Sequence, residues 1–134
     1  MIKKMIFLLS LFAATSSCNN SAKKEPVTNV EVARAFVRDI LDNNLKEAEQ
    51  YLLKDETNLQ IYDRFQQNYK TLDKDLLQKY KASDIVVNGI NNDIDSVCIF
   101  NYSNSYNRKD TTVLKLLRIE NKWLVDIKYT FPIN

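Results

Sequence analysis

The sequence predicts an α+β domain in which N-terminal helices pack on one face of a curved antiparallel sheet of about four strands. Two observations carry this. From Val32 to Tyr80 apolar residues recur every three or four positions, the period of a helix with one buried face. From Asp84 onward the period falls to two, the pattern of strands in a sheet with one covered side. A run of helices followed by a run of strands is the α+β order.

The first helix is predicted to start at Thr28, because Thr28-Asn29-Val30-Glu31 has the form of a capping box, with Glu three residues after Thr. Val32, Ala33, Phe36, Val37 and Ile40 make its apolar face, and Arg34 and Arg38 lie away from it. Asp39 sits at the edge of that stripe, where a solvated carboxylate is expected. Asn43-Asn44 ends the helix, and Leu45, Ala48 and Leu52 define a short second helix folded back as a hairpin. Between Glu56 and Lys81, Tyr62, Phe65, Tyr69, Leu72, Leu76 and Tyr80 step by three or four. This predicts one long helix or two, breaking near Thr71, with the stripe packed on the protein's own sheet rather than on a coiled-coil partner.

Strands are predicted over Asp84 to Ile90, Ile94 to Ser103 and Thr111 to Ile119, separated by turns at Asn91-Asn92 and Ser105 to Lys109. After Glu120-Asn121-Lys122, the last strand should place Trp123, Val125, Ile127, Tyr129 and Phe131 inward. Leu124, Asp126, Lys128 and Thr130 fall on its other, polar face, so Lys128 is expected to matter little to stability.

Residues ahead of the domain predict its address. Lys3 and Lys4 precede an apolar stretch, Met5 to Ala14, too short to span a bilayer, and small residues then lead to Cys18. Thr15-Ser16-Ser17-Cys18 resembles the lipobox of bacterial lipoproteins, with Thr15 where Leu is usual. The resemblance implies removal of residues 1–17, a lipid on Cys18, and a tether over 18–27 ahead of a single domain over 28–134. It also implies a cell-envelope location. Asn19, in place of the Asp that commonly retains lipoproteins at the inner membrane, points to the periplasmic face of the outer membrane.

Loss of residues 1–17 takes two of the 19 basic side chains and none of the 17 acidic ones, so the mature chain is neutral. That argues against a nucleic-acid partner. With Cys18 acylated, Cys98 is the one remaining thiol and no intramolecular disulfide forms. It lies in the strand-like run Ser96-Val97-Cys98-Ile99-Phe100, where a buried, inert cysteine is expected. The chain has no histidine to activate a nucleophile.

The domain resembles the small uncharacterised lipoproteins with a nuclear-transport-factor-two-like fold. Ala33 to Phe36, the Asn43-Asn44 turn and Leu45 to Ala48 match their helical hairpin. Glu120, Asn121, Lys122, Trp123 and Val125 match their terminal strand hairpin, and the resemblance covers roughly Thr28 to Phe131. It departs at the turns, with Asn44 where Asp is common and Asn121 where Gly is common, and Asn tolerates the left-handed conformation such turns need. The resemblance implies a cone-shaped shell, often with a pocket at one end, that hosts isomerases, dehydratases, small-ligand binders and dimerisation modules alike.

Tested against residues, the catalytic reading is poorly supplied. There is no Gly-rich phosphate loop and no cluster of metal ligands, and the aspartates fall on expected polar faces. Neither metal nor cofactor is expected, and no residue is assigned a catalytic role. The expected function is non-catalytic binding of a small apolar or amphipathic ligand between helices and sheet, with Tyr62, Tyr69, Phe100, Tyr102, Trp123 and Tyr129 as pocket candidates. The alternatives are an envelope protein–protein interaction module, as monomer or homodimer, and an isomerase- or dehydratase-like enzyme. An enclosed cavity of several hundred cubic ångströms would favour the ligand, and a filled interior the protein partner.

Overall fold

The computed structural model describes residues 24–132; the expected signal segment, Cys18 and most of the expected tether lie outside them. The first helix, α1 (Asn29–Leu41), starts at the predicted box. Thr28 Oγ1 accepts from the Glu31 amide at 3.2 Å, and Glu31 Oε2 accepts from the Thr28 and Val27 amides at 3.0 Å each. Those two amides hold the Glu31 carboxyl below its ordinary range. Val32, Ala33, Phe36, Val37, Ile40 and Leu41 are buried along one face. At ~1.5–3 kcal/mol for each large side chain, that face contributes on the order of 10 kcal/mol before chain entropy is counted, so α1 is the helix on which the core is built.

Asn43 takes a left-handed conformation, φ 62°, and reverses the chain into α2 (Leu45–Ala48) and a 3-10 turn (Glu49–Tyr51). The predicted long stripe divides into α3 (Glu56–Tyr69) and α4 (Lys74–Ala82), with the break at residues 70–73. Arg38 does not point idly away. Its guanidinium pairs with Asp42 at 2.8 Å and donates to the Ser83 and Lys81 carbonyls at 2.8 and 3.1 Å, which fastens the end of α4 to α1.

Four strands form one antiparallel meander: β1 (Ile85–Ile94), β2 (Val97–Asn104), β3 (Thr112–Ile119) and β4 (Lys122–Asp126), adjacent in chain order. The turn expected at Asn91-Asn92 lies instead at Asp95-Ser96, because β1 continues through both asparagines with register irregularities between Val87 and Gly89 and between Asn91 and Ile94. Absorbing extra residues as bulges lets a strand run past turn-forming residues. The β3–β4 turn is as expected, with Glu120 and Asn121 both at positive φ. Cys98, Phe100, Leu114, Leu116 and Val125 face the helices and are buried. Past β4's outer edge, the Leu53 amide donates to the Val125 carbonyl at 2.9 Å, so the loop after the 3-10 turn covers that edge.

The last strand is shorter than its alternation suggests. Val125, Asp126 and Ile127 are buried in succession, and the chain then turns, the Phe131 amide donating to the Ile127 carbonyl at 3.0 Å. The cause is Asn58, fully buried on α3. Its Oδ1 accepts from the Lys128 amide at 3.1 Å, and its Nδ2 donates to Asp126 Oδ1 and Asp55 Oδ2 at 3.1 and 3.0 Å. The main chain is thereby drawn away from the sheet. Tyr129, expected inward, is 50% exposed with Lys115 Nζ 5.8 Å from its ring centre, and Phe131 lies at the surface against Phe65.

Asp126 is therefore inside, held by an amide, rather than on a solvated face. Asp39 is also buried, at 5% exposure, rather than solvated at the edge of α1. Lys128 Nζ lies 2.6 Å from Asp55 Oδ2 and 3.7 Å from Asp126 Oδ1. The hydrogen bond from Lys128 and the amide of Asn58 hold the Asp55 carboxyl below its usual range.

Asn58→Ala is expected to cost on the order of 3 kcal/mol in equilibrium denaturation, since it strips donors from a buried carboxylate and leaves an amide unpaired. Lys128→Ala should cost below about 1 kcal/mol, because that ion pair is partly solvated. Trp123→Ala, at a half-buried ring, should cost about 2 kcal/mol, short of the ~3–5 for a fully buried aromatic. Equal losses for Asn58→Ala and Lys128→Ala would mean that the ion pair, not the amide, holds the α3–β4 junction.

Candidate ligand pocket

One pocket lies between the helices and the inner face of the sheet, with a volume of about 160 Å³. α1 supplies Phe36, Ile40 and Leu41, and α3 supplies Phe65 and Tyr69, each set at helical spacing so that one face reaches the space. Tyr80 comes from α4. The sheet supplies Tyr102 and Asn104 from β2 and, opposite them, Thr112 and Leu114 from β3. The turn that Asn58 fixes after β4 brings Ile127, Thr130 and Phe131 to the remaining side, where Thr130 Oγ1 donates to the Val113 carbonyl at 2.7 Å. Asp110, in the β2–β3 loop, is the one charged side chain on the wall.

Its walls are aromatic and in mutual contact. Phe65 lies 5.4 Å from Tyr69 and 5.9 Å from Phe131, centre to centre, and Tyr69 lies 6.4 Å from Tyr80. Such distances are those of favourable ring pairs. Three phenols share the polar side. The Tyr69 hydroxyl is buried with no hydrogen-bond partner, and burial first, then the Tyr80 and Tyr102 hydroxyls, push its pKa up to about 12. Burial likewise pushes Tyr102 up to about 12, a hydrogen bond with Thr112 opposing it and Asp110 adding to it. Burial and Asp110 raise Tyr80 as well. The three stay protonated, able to donate or accept.

Of the six residues expected in a pocket, Tyr69 and Tyr102 line this one. Tyr62 and Phe100 are core: Tyr62 is 1% exposed and donates to the Leu45 carbonyl, and Phe100 is fully enclosed behind Tyr102. Trp123 faces the helices as expected. It lines a different, open groove of about 360 Å³ with Pro26, Val27, Val32 and Tyr51. Tyr129 is on the surface. Larger grooves lie at the surface: one of about 590 Å³ along α1 is lined mostly by charged and polar side chains, among them Lys24, Glu25, Glu31, Arg34 and Glu47.

Tyr80 and Phe65 belong to the helical stripe, and their hydroxyl or ring alone does not separate pocket from core. Asp110 and Thr112 carry no sequence signal at all; they are at the pocket because β2 and β3 pair. Among the described residues no His, Cys, Asp and Glu group could hold a metal ion. Cys98 is fully buried and its thiol is pushed up by that burial. No protein-family model, curated protein or solved structure matches the chain.

The raised phenols set a pH dependence. Tyrosines that burial holds above their ordinary value of 10 leave stability level below pH 10 and lower it as pH rises toward 12, where the unfolded chain has released protons the folded chain retains. Denaturation midpoints should fall across that interval, and Tyr69→Phe should flatten part of the fall. Cys98 should react with thiol reagent slowly in the native protein and readily after denaturation; fast native labelling would revive a reactive role.

Proposed function

We propose that this chain is a lipid-anchored protein of the bacterial cell envelope, whose nuclear-transport-factor-two-like domain binds a small apolar or amphipathic ligand without catalysis. The pocket between helices and sheet carries the binding part. Its aromatic and aliphatic walls and small group of hydroxyls have the composition of a ligand site, an apolar body with a few polar groups that fix orientation. At about 160 Å³ it is smaller than the several hundred expected, which confines the ligand to roughly one ring. The fold assignment draws support from the helix order, the meander and the Glu120–Val125 hairpin. The anchor rests on Lys3 to Cys18.

Catalysis finds little support in the geometry. Asp110 is the single carboxylate on the pocket wall, while Asp126 is engaged by Asn58. A second reading, a protein-docking module, draws on the sheet face away from the helices, where Val97, Ile99, Val113, Leu117 and Leu124 are only half-buried, and on Ile94 of β1, 58% exposed.

Titration with ethylbenzene is expected to shift the methyl resonances of Leu114 and Ile127 and leave Val97 and Ile99 unmoved. Shifts confined to Val97 and Ile99 would favour the docking face. For the anchor, Cys18→Ser should abolish incorporation of labelled fatty acid and move the protein from the membrane pellet to the soluble fraction, and persistent lipid labelling of the variant would sink it.

A further inference from the structure

The pocket and the start of the described chain lie at opposite ends of the domain. Residues 24–27 run beside the first turn of α1 and the β3–β4 turn, sharing a groove with Asn121 and Lys122. The β1–β2 turn is at the same end, with Asn29 Nδ2 donating to Asn92 Oδ1 at 2.8 Å and the Arg118 amide to the Ser96 carbonyl at 2.8 Å. The pocket instead takes α1 from Phe36 to Leu41, the end of α3, the end of β2 and the beginning of β3. Along α1 those residues lie about 10–18 Å from Asn29. Its exposed members, Asp110 and Phe131, lie at the end away from Lys24.

What the pocket can accept is limited by charge, size and one unpartnered group. Its wall carries a carboxylate and no Lys or Arg, and Arg38, whose charge reaches the Tyr69 hydroxyl, is already paired with Asp42 at 2.8 Å, so a carboxylate or phosphate would enter without a counter-charge of its own. A quaternary ammonium has no N–H and no lone pair, so it would leave the Tyr69 hydroxyl as it is, buried and unpaired, a state that costs about 1–3 kcal/mol. A cavity of about 150 Å³ is known to admit benzene. The acyl chain of a membrane lipid is several times longer than that space allows.

We propose that the pocket takes an uncharged, water-borne molecule about the size of one substituted six-membered ring, bearing a hydroxyl or carbonyl oxygen that pairs with the Tyr69 hydroxyl, and takes it from the aqueous side facing away from the anchor. This rests on the pocket being a binding site and, for the side of entry, on the anchor proposed at Cys18. Tyr69 is a specificity determinant: its hydroxyl selects for oxygen, and the rings of Phe65, Tyr80 and Phe131 accept the body.

Benzyl alcohol and ethylbenzene, which differ by a hydroxyl in place of a methyl, separate the two layers of the argument. In the full chain carrying Cys18→Ser, followed through the Leu114 and Ile127 methyl resonances, benzyl alcohol should bind about tenfold more tightly than ethylbenzene. Tyr69→Phe should erase that preference and raise the denaturation midpoint of the free protein. Equal affinities in both proteins would overturn the recognition of oxygen and leave the pocket standing. Neither probe shifting Leu114 or Ile127 would overturn both. Tighter binding of benzoate or phenyltrimethylammonium would overturn the uncharged class. With the acylated protein in phosphatidylglycerol vesicles, benzyl alcohol affinity should be unchanged, and its loss would overturn the outward-facing entry.

Discussion

The fold turns on one amide. Asn58 is fully enclosed, yet both its ends are satisfied: two carboxylates receive its Nδ2 and the Lys128 main chain donates to its Oδ1. A buried carboxamide tolerates only one arrangement of such partners, because each bond lost inside costs far more than each bond made contributes. It therefore fixes the start of α3 against the end of β4 across 68 residues of sequence. The helical phase of α3 follows, and with it the direction of Phe65 and Tyr69. The tight turn that delivers Ile127, Thr130 and Phe131 follows too.

Downstream of that junction, the molecule divides its aromatic residues between two tasks. Phe36, Tyr62, Phe65, Tyr69 and Tyr80 form a continuous chain of ring contacts from the core outward. At the inner end Tyr62 finds the Leu45 carbonyl, and the chain there is solid core. Farther out the Tyr69 hydroxyl finds nothing, and space opens beside it. The same residue type, seven positions along one helix face, thus fills the core at one place and lines a cavity at another, with the neighbours across the gap deciding which.

Much of this was legible in the sequence wherever the physics is local. The Thr28–Glu31 box, the Asn43 reversal, the break between α3 and α4 and the inward side of Trp123 and Val125 all depend on residues within a few positions of one another. What could not be read was set by distant partners. Asn91-Asn92 looks like a turn until β2 pairs alongside and carries β1 through it. Tyr129 and Phe131 continue an alternating pattern that Asn58, far away in sequence, interrupts. Asp126 shares a strand parity with Lys128 and reads as solvated, and it is the carboxamide opposite that makes burial tolerable. The pocket is less legible still. Tyr69 and Tyr102 were recognisable as suitable types, but nothing in their spacing distinguishes them from Tyr62 and Phe100, because the difference is whether another side chain fills the volume beside them.

The two sides of the sheet end differently. β4 is covered by the chain around Leu53, whereas β1 stands outermost, ten residues long, with Asp93 its one charged side chain. An unbroken strand of that length would offer a ladder of free amides and carbonyls to any identical neighbour. The two register irregularities divide it. No stretch longer than three residues, Ile85 to Val87 or Gly89 to Asn91, keeps regular pairing geometry before the backbone shifts. A second copy arriving edge to edge would lose step almost at once, so the irregularities oppose growth of a shared sheet through this edge.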